Sequence, residues 1–267
     1  MPIFDAHVHI FPDPIAARVV DQLAAMGNVQ PSFHGTRAEL ETSLRAAGID
    51  GALNCPIATR PEQVESINRW AVGQNRWPVV SLGSVHQAYA DAVGEIERLR
   101  QRGLPGIKMH PEYQGFGLED AAMQPIWAAC ERLDMILFLH AGEDTGFPPP
   151  CRVRPAALRW LIGSYPRLQV VAAHFGGWRL WDEVEAELIG QPLFLDLSFV
   201  TGLLPDARIV ELVRRHGVER VLFGTDAPWR DQGLELEAFR KLPFTAGEQR
   251  RMLWDNAAQL FRLQLPE

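Results

Sequence analysis

The chain has 267 residues, 47% of them apolar, and is therefore long enough to bury a large core as one domain. Its formal net charge of −7 argues against a broad surface for nucleic acid or an anionic membrane, and we expect a small-molecule substrate. Cys55, Cys130 and Cys151 lack a C-x-x-C spacing, which favours reduced thiols. No leader pattern and no run of about eighteen apolar residues is present, so a soluble cytoplasmic protein is expected. Homo-oligomer formation is left open.

Strands and helices are predicted to alternate along the whole chain. Short apolar runs predict eight strands, at residues 2–10, 51–57, 79–85, 106–110, 135–140, 168–174, 193–198 and 221–226. Apolar residues at helical spacing predict helices at 14–26, 36–48, 62–77, 88–102, 121–133, 155–164, 181–189, 207–216, 234–242 and 246–263. This order predicts an α/β fold, a single-domain (β/α)8 TIM barrel over residues 1–267. A doubly wound open sheet is the alternative, although the first strand-to-helix turn has no glycine-rich phosphate loop.

The first strand contains a His-x-His pair. Alternate side chains of a strand point to opposite faces, so Asp5, His7 and His9 are expected on one face, opposite an apolar one. The apolar face indicates a cover of helices, and the polar face must then point into an enclosed space. By itself the pair is more typical of two hydrogen-bonded histidines than of a metal site.

Further polar residues recur at the ends of later predicted strands. His110 ends the fourth strand, His140 the fifth, His174 the sixth and Asp226 the eighth. A TIM barrel gathers its active site at the carboxyl ends of the strands, so these side chains are expected to meet. An unpaired buried polar group costs about 1 to 3 kcal/mol, and one divalent cation would satisfy several of them together. Nitrogen and oxygen ligands favour Zn²⁺, with Mn²⁺, Fe²⁺, Co²⁺ and Ni²⁺ as alternatives.

Four motifs together carry a resemblance: FDAHVHIFP, FLHAGED, AAHFGGW and FGTDAPW. Through them the whole chain resembles the amidohydrolase superfamily of metal-dependent TIM-barrel enzymes, in particular its branch of hydrolases similar to aminocarboxymuconate-semialdehyde decarboxylase. The resemblance implies that His7, His9 and His140 bind the metal. It implies that Asp226 is the last ligand, or the base that takes a proton from metal-bound water. His174 would be a ligand of a second metal or, as we favour, a catalytic acid or base of a mononuclear site.

The fourth strand departs from the family pattern. Some binuclear relatives bridge two metals there with a carboxylated lysine or a glutamate, and this chain offers Lys108, His110 and Glu112. Glu112 is a candidate ligand, but Pro111 interrupts the strand. Lys108 is either a carbamate or an ammonium paired with an inward carboxylate such as Asp5. His110 is expected in the site as a ligand, a substrate contact or a catalytic group. Whether the site holds one ion or two is left open.

The favoured function is a metal-dependent hydrolase that uses a metal-activated water on an amide, ester or lactone. Asp226 would accept the proton, and His174 or His110 would act on the leaving group. The alternative is nonoxidative decarboxylation of an unsaturated or aromatic acid. A non-catalytic metal-binding protein is the third interpretation. Glu143 and Asp144, which follow His140, are expected to be solvated.

Overall fold

The computed structural model describes residues 1–265, and these form the predicted (β/α)8 barrel. Its parallel strands are β1 Phe4–Val8, β2 Gly51–Asn54, β3 Val79–Ser81, β4 Gly106–Met109, β5 Ile136–Leu139, β6 Val170–Ala172, β7 Phe194–Asp196 and β8 Val221–Leu222. Each strand lies within its predicted range and is shorter than that range. Strands β4, β5 and β6 end one or two residues before His110, His140 and His174, whereas His7 lies within β1.

Two backbone contacts close the sheet into a barrel. Strands β1 to β3 and β4 to β8 form two sheets in consecutive order. Parallel bridges from Gly83 to Ile107 and from Val8 to Ala227 join them at both edges. His9 N, for example, donates to Ala227 O at 2.7 Å. Within residues 1–265 no sheet edge is left open, so the doubly wound alternative is wrong.

Helices cover the outside of the barrel. They are α1 Ala16–Gly27, α2 Arg37–Ala47, α3 Val64–Gln74, α4 Ala92–Gln101, α5 Pro111–Gln114, α6 Gln124–Leu133, α7 Pro155–Ser164, α8 Trp181–Glu187, α9 Asp206–His216, α10 Gln232–Lys241, α11 Ala246–Arg250 and α12 Asn256–Phe261. A π-helical turn, Arg251–Asp255, joins the last two, so the predicted helix 246–263 is interrupted. The start of α2 shows why the local sequence folds this way. The Thr36 hydroxyl accepts from Glu39 N, and the Glu39 carboxylate accepts from Thr36 N.

Helix α5 was not among the predicted elements. It begins directly after His110, because Pro111 cannot donate to a strand ladder and its fixed φ suits the first turn of a helix. The Gln114 side chain holds this turn: its Oε1 accepts from His110 N at 2.9 Å and its Nε2 donates to Ala58 O at 2.8 Å. Glu112 therefore does not continue the alternation of the fourth strand.

Buried apolar residues fill the barrel and the layer between strands and helices. Phe4 of β1 packs on Trp77 and Phe261, with ring centroids 6.4 and 6.3 Å apart. The three cysteines are buried free thiols, in agreement with their spacing. None of the helices within residues 1–265 combines the length and the apolarity needed to cross a bilayer.

Candidate metal centre and active site

His7, His9 and Asp226 converge at the carboxyl end of the barrel. Barrel closure places Asp226, which follows β8, beside β1, where Asp226 N donates to His7 O at 2.8 Å. Asp226 Oδ1 lies 3.0 Å from His9 Nε2 and 3.4 Å from His7 Nε2. One ligand atom from each of His7, His9 and Asp226 therefore lies within 4.8 Å of the other two.

This group fits a divalent cation. Asp226 Oδ1 is buried and makes no hydrogen bond within the described part of the chain, although His9 Nε2 is close. Ligand atoms about 2.1 Å from a tetrahedral metal lie about 3.4 Å from one another, close to the distances found here. Two imidazole nitrogens and one carboxylate oxygen are ligands that Zn²⁺ and related cations accept. The assignment of these three residues as ligands stays a prediction.

Asp196 and Ser198, at the end of β7, support His7 from behind. Asp196 Oδ2 accepts from His7 Nδ1 at 2.9 Å, and Ser198 Oγ lies 3.2 Å from the same nitrogen. A carboxylate behind a histidine fixes the ring and leaves the other nitrogen free for a metal. Asp196 Oδ1 accepts from His174 N, Ser198 N and the Ser198 hydroxyl, and these hydrogen bonds hold the carboxylate in place behind the His7 ring.

His174 and His140 form a hydrogen-bonded pair beside this group. His174 Nε2 lies 3.1 Å from His140 Nδ1, and His174 is next to His7, with ring centroids 5.4 Å apart. The second nitrogen of His140, Nε2, faces Glu143 O at 3.1 Å. Both ring nitrogens of His140 therefore have partners. To serve as a fourth ligand, as the family pattern implies, His140 must release one of them.

His110 lies on the other side of His140. The two rings stack with centroids 4.0 Å apart and 14° between their planes, and His110 Nε2 lies 3.2 Å from Asp144 Oδ2. Although these three side chains are close, one ion cannot lie in two parallel ring planes, where the lone pairs of the nitrogens lie. His110 therefore suits a substrate contact or a catalytic role better than a ligand role. Asp144 was expected to be solvated, but its carboxylate instead faces His110.

Lys108 and Asp5 do not pair with each other. Lys108 Nζ lies 3.1 Å from His7 Nε2 and 4.4 Å from the centre of the Phe138 ring. The Asp5 carboxylate instead accepts from Thr225 N at 2.9 Å, and from the Thr225 hydroxyl and Gln232 Nε2.

The pairing of β1 with β2 is irregular between Asp5 and Val8, so the expected alternation from Asp5 to His9 is broken.

Glu112, a predicted ligand, lies in none of these groups. Its Oε1 accepts from Arg152 N, and its Oε2 is 3.7 Å from Arg152 Nε. The physical reason is the start of α5 at Pro111, which turns Glu112 out of the strand and towards the segment after β5. Glu112 therefore fastens residues 143–154, the segment that carries Asp144, and in this structure it faces no other candidate ligand.

Unusual backbone conformations cluster around the site. Within residues 1–265, eight non-glycine residues have positive φ, and three of them, Asn28, Asp134 and Arg262, end helices. The other five follow β6, β7 or β8: His174, Phe175, Arg179, Phe199 and Asp226. Such residues cost of order 1 to 3 kcal/mol each and persist where the surroundings hold them, often at functional sites.

Aromatic rings flank the histidines on two sides. Tyr113 packs edge-on against His110 and Phe147, with ring centroids 4.6 and 4.8 Å apart. On the opposite side Phe199 packs edge-on against His174, with centroids 6.0 Å apart, and against Trp178. These rings give the site apolar walls next to its polar centre.

Burial sets the protonation of the site. Desolvation lowers the pKa of His7, His110 and His140 well below the usual value, because it disfavours the charged imidazolium. These imidazoles are therefore neutral near pH 7. Burial would raise the pKa of Asp226, but the neighbouring His7 and His9 outweigh it and hold that pKa below its usual range. Neutral imidazoles beside a carboxylate are the state that a cation requires.

Asp196, Ser198 and Asp144 take part in the site and were not predicted. The predicted strand 193–198 ends in Asp-Leu-Ser, a polar, apolar, polar alternation like that of His7 to His9. That pattern was the available signal at the seventh strand. No comparable signal exists for Asp144, which lies on a loop whose path the sequence does not specify.

The chain belongs to the amidohydrolase family, whose sequence profile matches residues 4–263. It is 26% identical over 194 residues to 2-amino-3-carboxymuconate-6-semialdehyde decarboxylase of Dictyostelium discoideum, which covers 59% of this chain and 53% of that protein. It is 25% identical over 177 residues to gamma-resorcylate decarboxylase of Rhodococcus jostii, which covers 52% and 54%. The chain thus matches about half the length of these curated relatives.

Solved structures share the fold over its full length. An uncharacterized TIM-barrel protein of Bordetella bronchiseptica has a TM-score of 0.79 at 17% identity and covers 98% of this chain and 99% of that one. A 5-carboxyvanillate decarboxylase of Novosphingobium aromaticivorans, complexed with manganese, has a TM-score of 0.74 at 17% identity, with 98% and 96% covered. At these identities the likeness establishes the TIM-barrel fold.

Proposed function

We propose that this enzyme is a metal-dependent nonoxidative decarboxylase of an aromatic or unsaturated acid. The observation that carries the proposal is the convergence of His7, His9 and Asp226, with an unpaired carboxylate oxygen, beside the His174 imidazole. Both curated relatives are decarboxylases, which favours this activity over the hydrolysis suggested by the sequence.

His7, His9 and Asp226 would hold the cation, and His140 would complete the set after it releases one partner. Zn²⁺ and Mn²⁺ are both candidates, the second because a structural neighbour binds manganese. When bound, a divalent cation supplies positive charge that holds the substrate carboxylate or an adjacent oxygen.

In the proposed reaction the bond between the substrate carbon and its carboxylate breaks, carbon dioxide leaves, and a proton takes its place on the carbon. His174 is the group that we assign to move this proton. Its Nδ1 faces the carbonyl oxygen of Ser198 at 3.2 Å, which can only accept, so Nδ1 keeps its hydrogen. Nε2, which lies 3.1 Å from His140 Nδ1, is then the atom that gains and loses the proton.

The aromatic walls would receive the planar part of the substrate. Tyr113 and Phe147 lie on the side of His110, and Phe199 and Trp178 on the side of His174. Rings of this kind stack on or contact the edge of a planar acid and exclude water from it. His110, held near Asp144, would contact a polar substituent of the substrate.

The direct test uses purified protein reconstituted with Zn²⁺ or Mn²⁺ and a panel of acids, with 2,6-dihydroxybenzoate and 5-carboxyvanillate among them. We expect carbon dioxide release and, in deuterated water, one deuterium on the carbon that lost its carboxylate. The same panel contains esters, amides and lactones in water labelled with ¹⁸O. Labelled hydrolysis products without carbon dioxide would establish the hydrolase instead. A protein that binds metal and converts nothing in the panel would contradict the proposal.

A further inference from the structure

We propose that Ser198 is a positioning residue that keeps hydrogen on Nδ1 of two histidines of the site, His7 and His174. Its kinetic consequence rests on the function proposed above, whereas its structural consequence does not. Ser198 is fully buried at the end of β7, and its hydroxyl oxygen lies between the Nδ1 atoms of both rings, 3.2 Å from His7 and 2.9 Å from His174.

The direction of each hydrogen bond follows from what its partner can do. Asp196 Oδ1 already accepts two backbone N–H groups, so it has no proton to give, and the Ser198 hydroxyl donates to it. The hydroxyl oxygen is then left with two lone pairs and accepts from both imidazoles. The Ser198 carbonyl oxygen, 3.2 Å from His174 Nδ1, also only accepts.

The contacts at the two nitrogens of His7 agree with this assignment. Asp196 Oδ2 accepts from His7 Nδ1 at 2.9 Å, while the Lys108 ammonium lies 3.1 Å from His7 Nε2 and donates to it. Both histidines therefore carry hydrogen on Nδ1. In His7 the opposite atom, Nε2, carries no hydrogen, so a cation that displaces Lys108 can bind it. In His174 the opposite atom, Nε2, lies 3.1 Å from His140 Nδ1, and it is the atom that gains and loses a proton.

One hydroxyl thus connects a candidate metal ligand with the group that we assign to proton transfer. Residues behind a ligand histidine typically change metal affinity or activity by about 10- to 100-fold when they are mutated. The Ser198→Ala variant removes the shared acceptor, and the Ser198→Thr variant keeps the hydroxyl. Ser81→Ala is the matched control, because Ser81 is also fully buried and bonds Asn54 and Leu82 O, with none of its hydrogen bonds reaching a histidine.

The experiment measures ¹⁵N shifts of the histidine rings in metal-free protein at pH 8, together with Zn²⁺ affinity. For the parent and Ser81→Ala we expect hydrogen on Nδ1 of both His7 and His174. Ser198→Ala leaves His174 Nδ1 with only the more distant carbonyl oxygen of residue 198 as acceptor, so we expect partial loss of hydrogen from that nitrogen. We also expect Zn²⁺ affinity about 10-fold weaker in Ser198→Ala, and Ser198→Thr should restore both. In a decarboxylase assay, kcat of Ser198→Ala should fall about 10-fold with KM changed less than about 2-fold.

Parental ring shifts and parental Zn²⁺ affinity in Ser198→Ala would overturn the proposal, as would equal losses in Ser198→Ala and Ser81→Ala. If no acid is converted by any variant, the proposed function fails, while the ring shifts and the metal affinity still decide the role of Ser198.

Discussion

The imidazoles of His110 and His140 stack face to face, with centroids 4.0 Å apart and 14° between their planes. Since a shared ion would have to lie in both planes, we expect His110→Ala to keep its full metal content. Its kcat should fall at least about 10-fold, because the ring faces Asp144 and lies between Tyr113 and His140. Metal analysis and steady-state kinetics check both statements. Loss of metal in this variant would show that His110 is a ligand after all.

Lys108 is expected to oppose metal binding. Its ammonium donates to His7 Nε2 at 3.1 Å, the atom that a cation would need, and adds a positive charge there. Lys108→Met keeps a side chain of similar length and removes both effects, so Zn²⁺ affinity should rise about 10-fold, equivalent to about 1.4 kcal/mol. Titration with a competing chelator measures it. If Lys108 is instead a carbamate that binds the metal, Lys108→Met should bind Zn²⁺ more weakly than the parent. Added bicarbonate should then raise the Zn²⁺ affinity of the parent and not that of the variant.

Glu112 is expected to act on substrate binding and not on the metal. Glu112→Gln weakens the contact with Arg152, so residues 143–154 should be cleaved faster in limited proteolysis and KM should rise about 3-fold or more. Metal content should equal that of the parent. Glu119→Gln, an exposed change nearby, serves as the control. A metal deficit in Glu112→Gln alone would restore the ligand role suggested by the sequence.

Acid should destabilise the metal-free protein through its buried histidines. The pKa of His110 is well below 6.5 in the folded chain because of burial, while the unfolded chain has the ordinary value. Below that value the unfolded state binds more protons, so stability falls as the pH drops below 6.5. His110→Gln should lose stability less steeply than the parent in urea unfolding across this window. An equal fall of the free energy of unfolding with pH in the two proteins would contradict the lowered pKa of His110.

The sequence predicted the barrel because each strand is a short apolar run followed by polar residues and a helix. It also predicted which strand ends meet, since barrel closure places His7, His9 and Asp226 together whatever the loops do. It did not predict that Asp5 leaves the face shared by His7 and His9, because an irregular strand pairing cannot be recognised from the alternation of polar and apolar residues. Nor did it predict that Pro111 starts a helix and turns Glu112 towards Arg152.

Ser198 shows a different limit. The alternation of Asp196 and Ser198 was visible at the seventh strand, but hydroxyl groups are common at strand ends, and nothing local distinguishes one that bonds two histidines. The choice between hydrolysis and decarboxylation depends in the same way on loops and on partners far apart in the chain.

The most direct measurement is the divalent metal content of purified, reconstituted protein by elemental analysis, in the parent, Asp226→Asn, His9→Ala and the exposed-site control His34→Ala. We predict about one ion per chain in the parent and control, and less than about a tenth of that in the other two variants. Full metal content in Asp226→Asn and His9→Ala, or no metal in the parent, would contradict the metal centre on which the proposed activity depends.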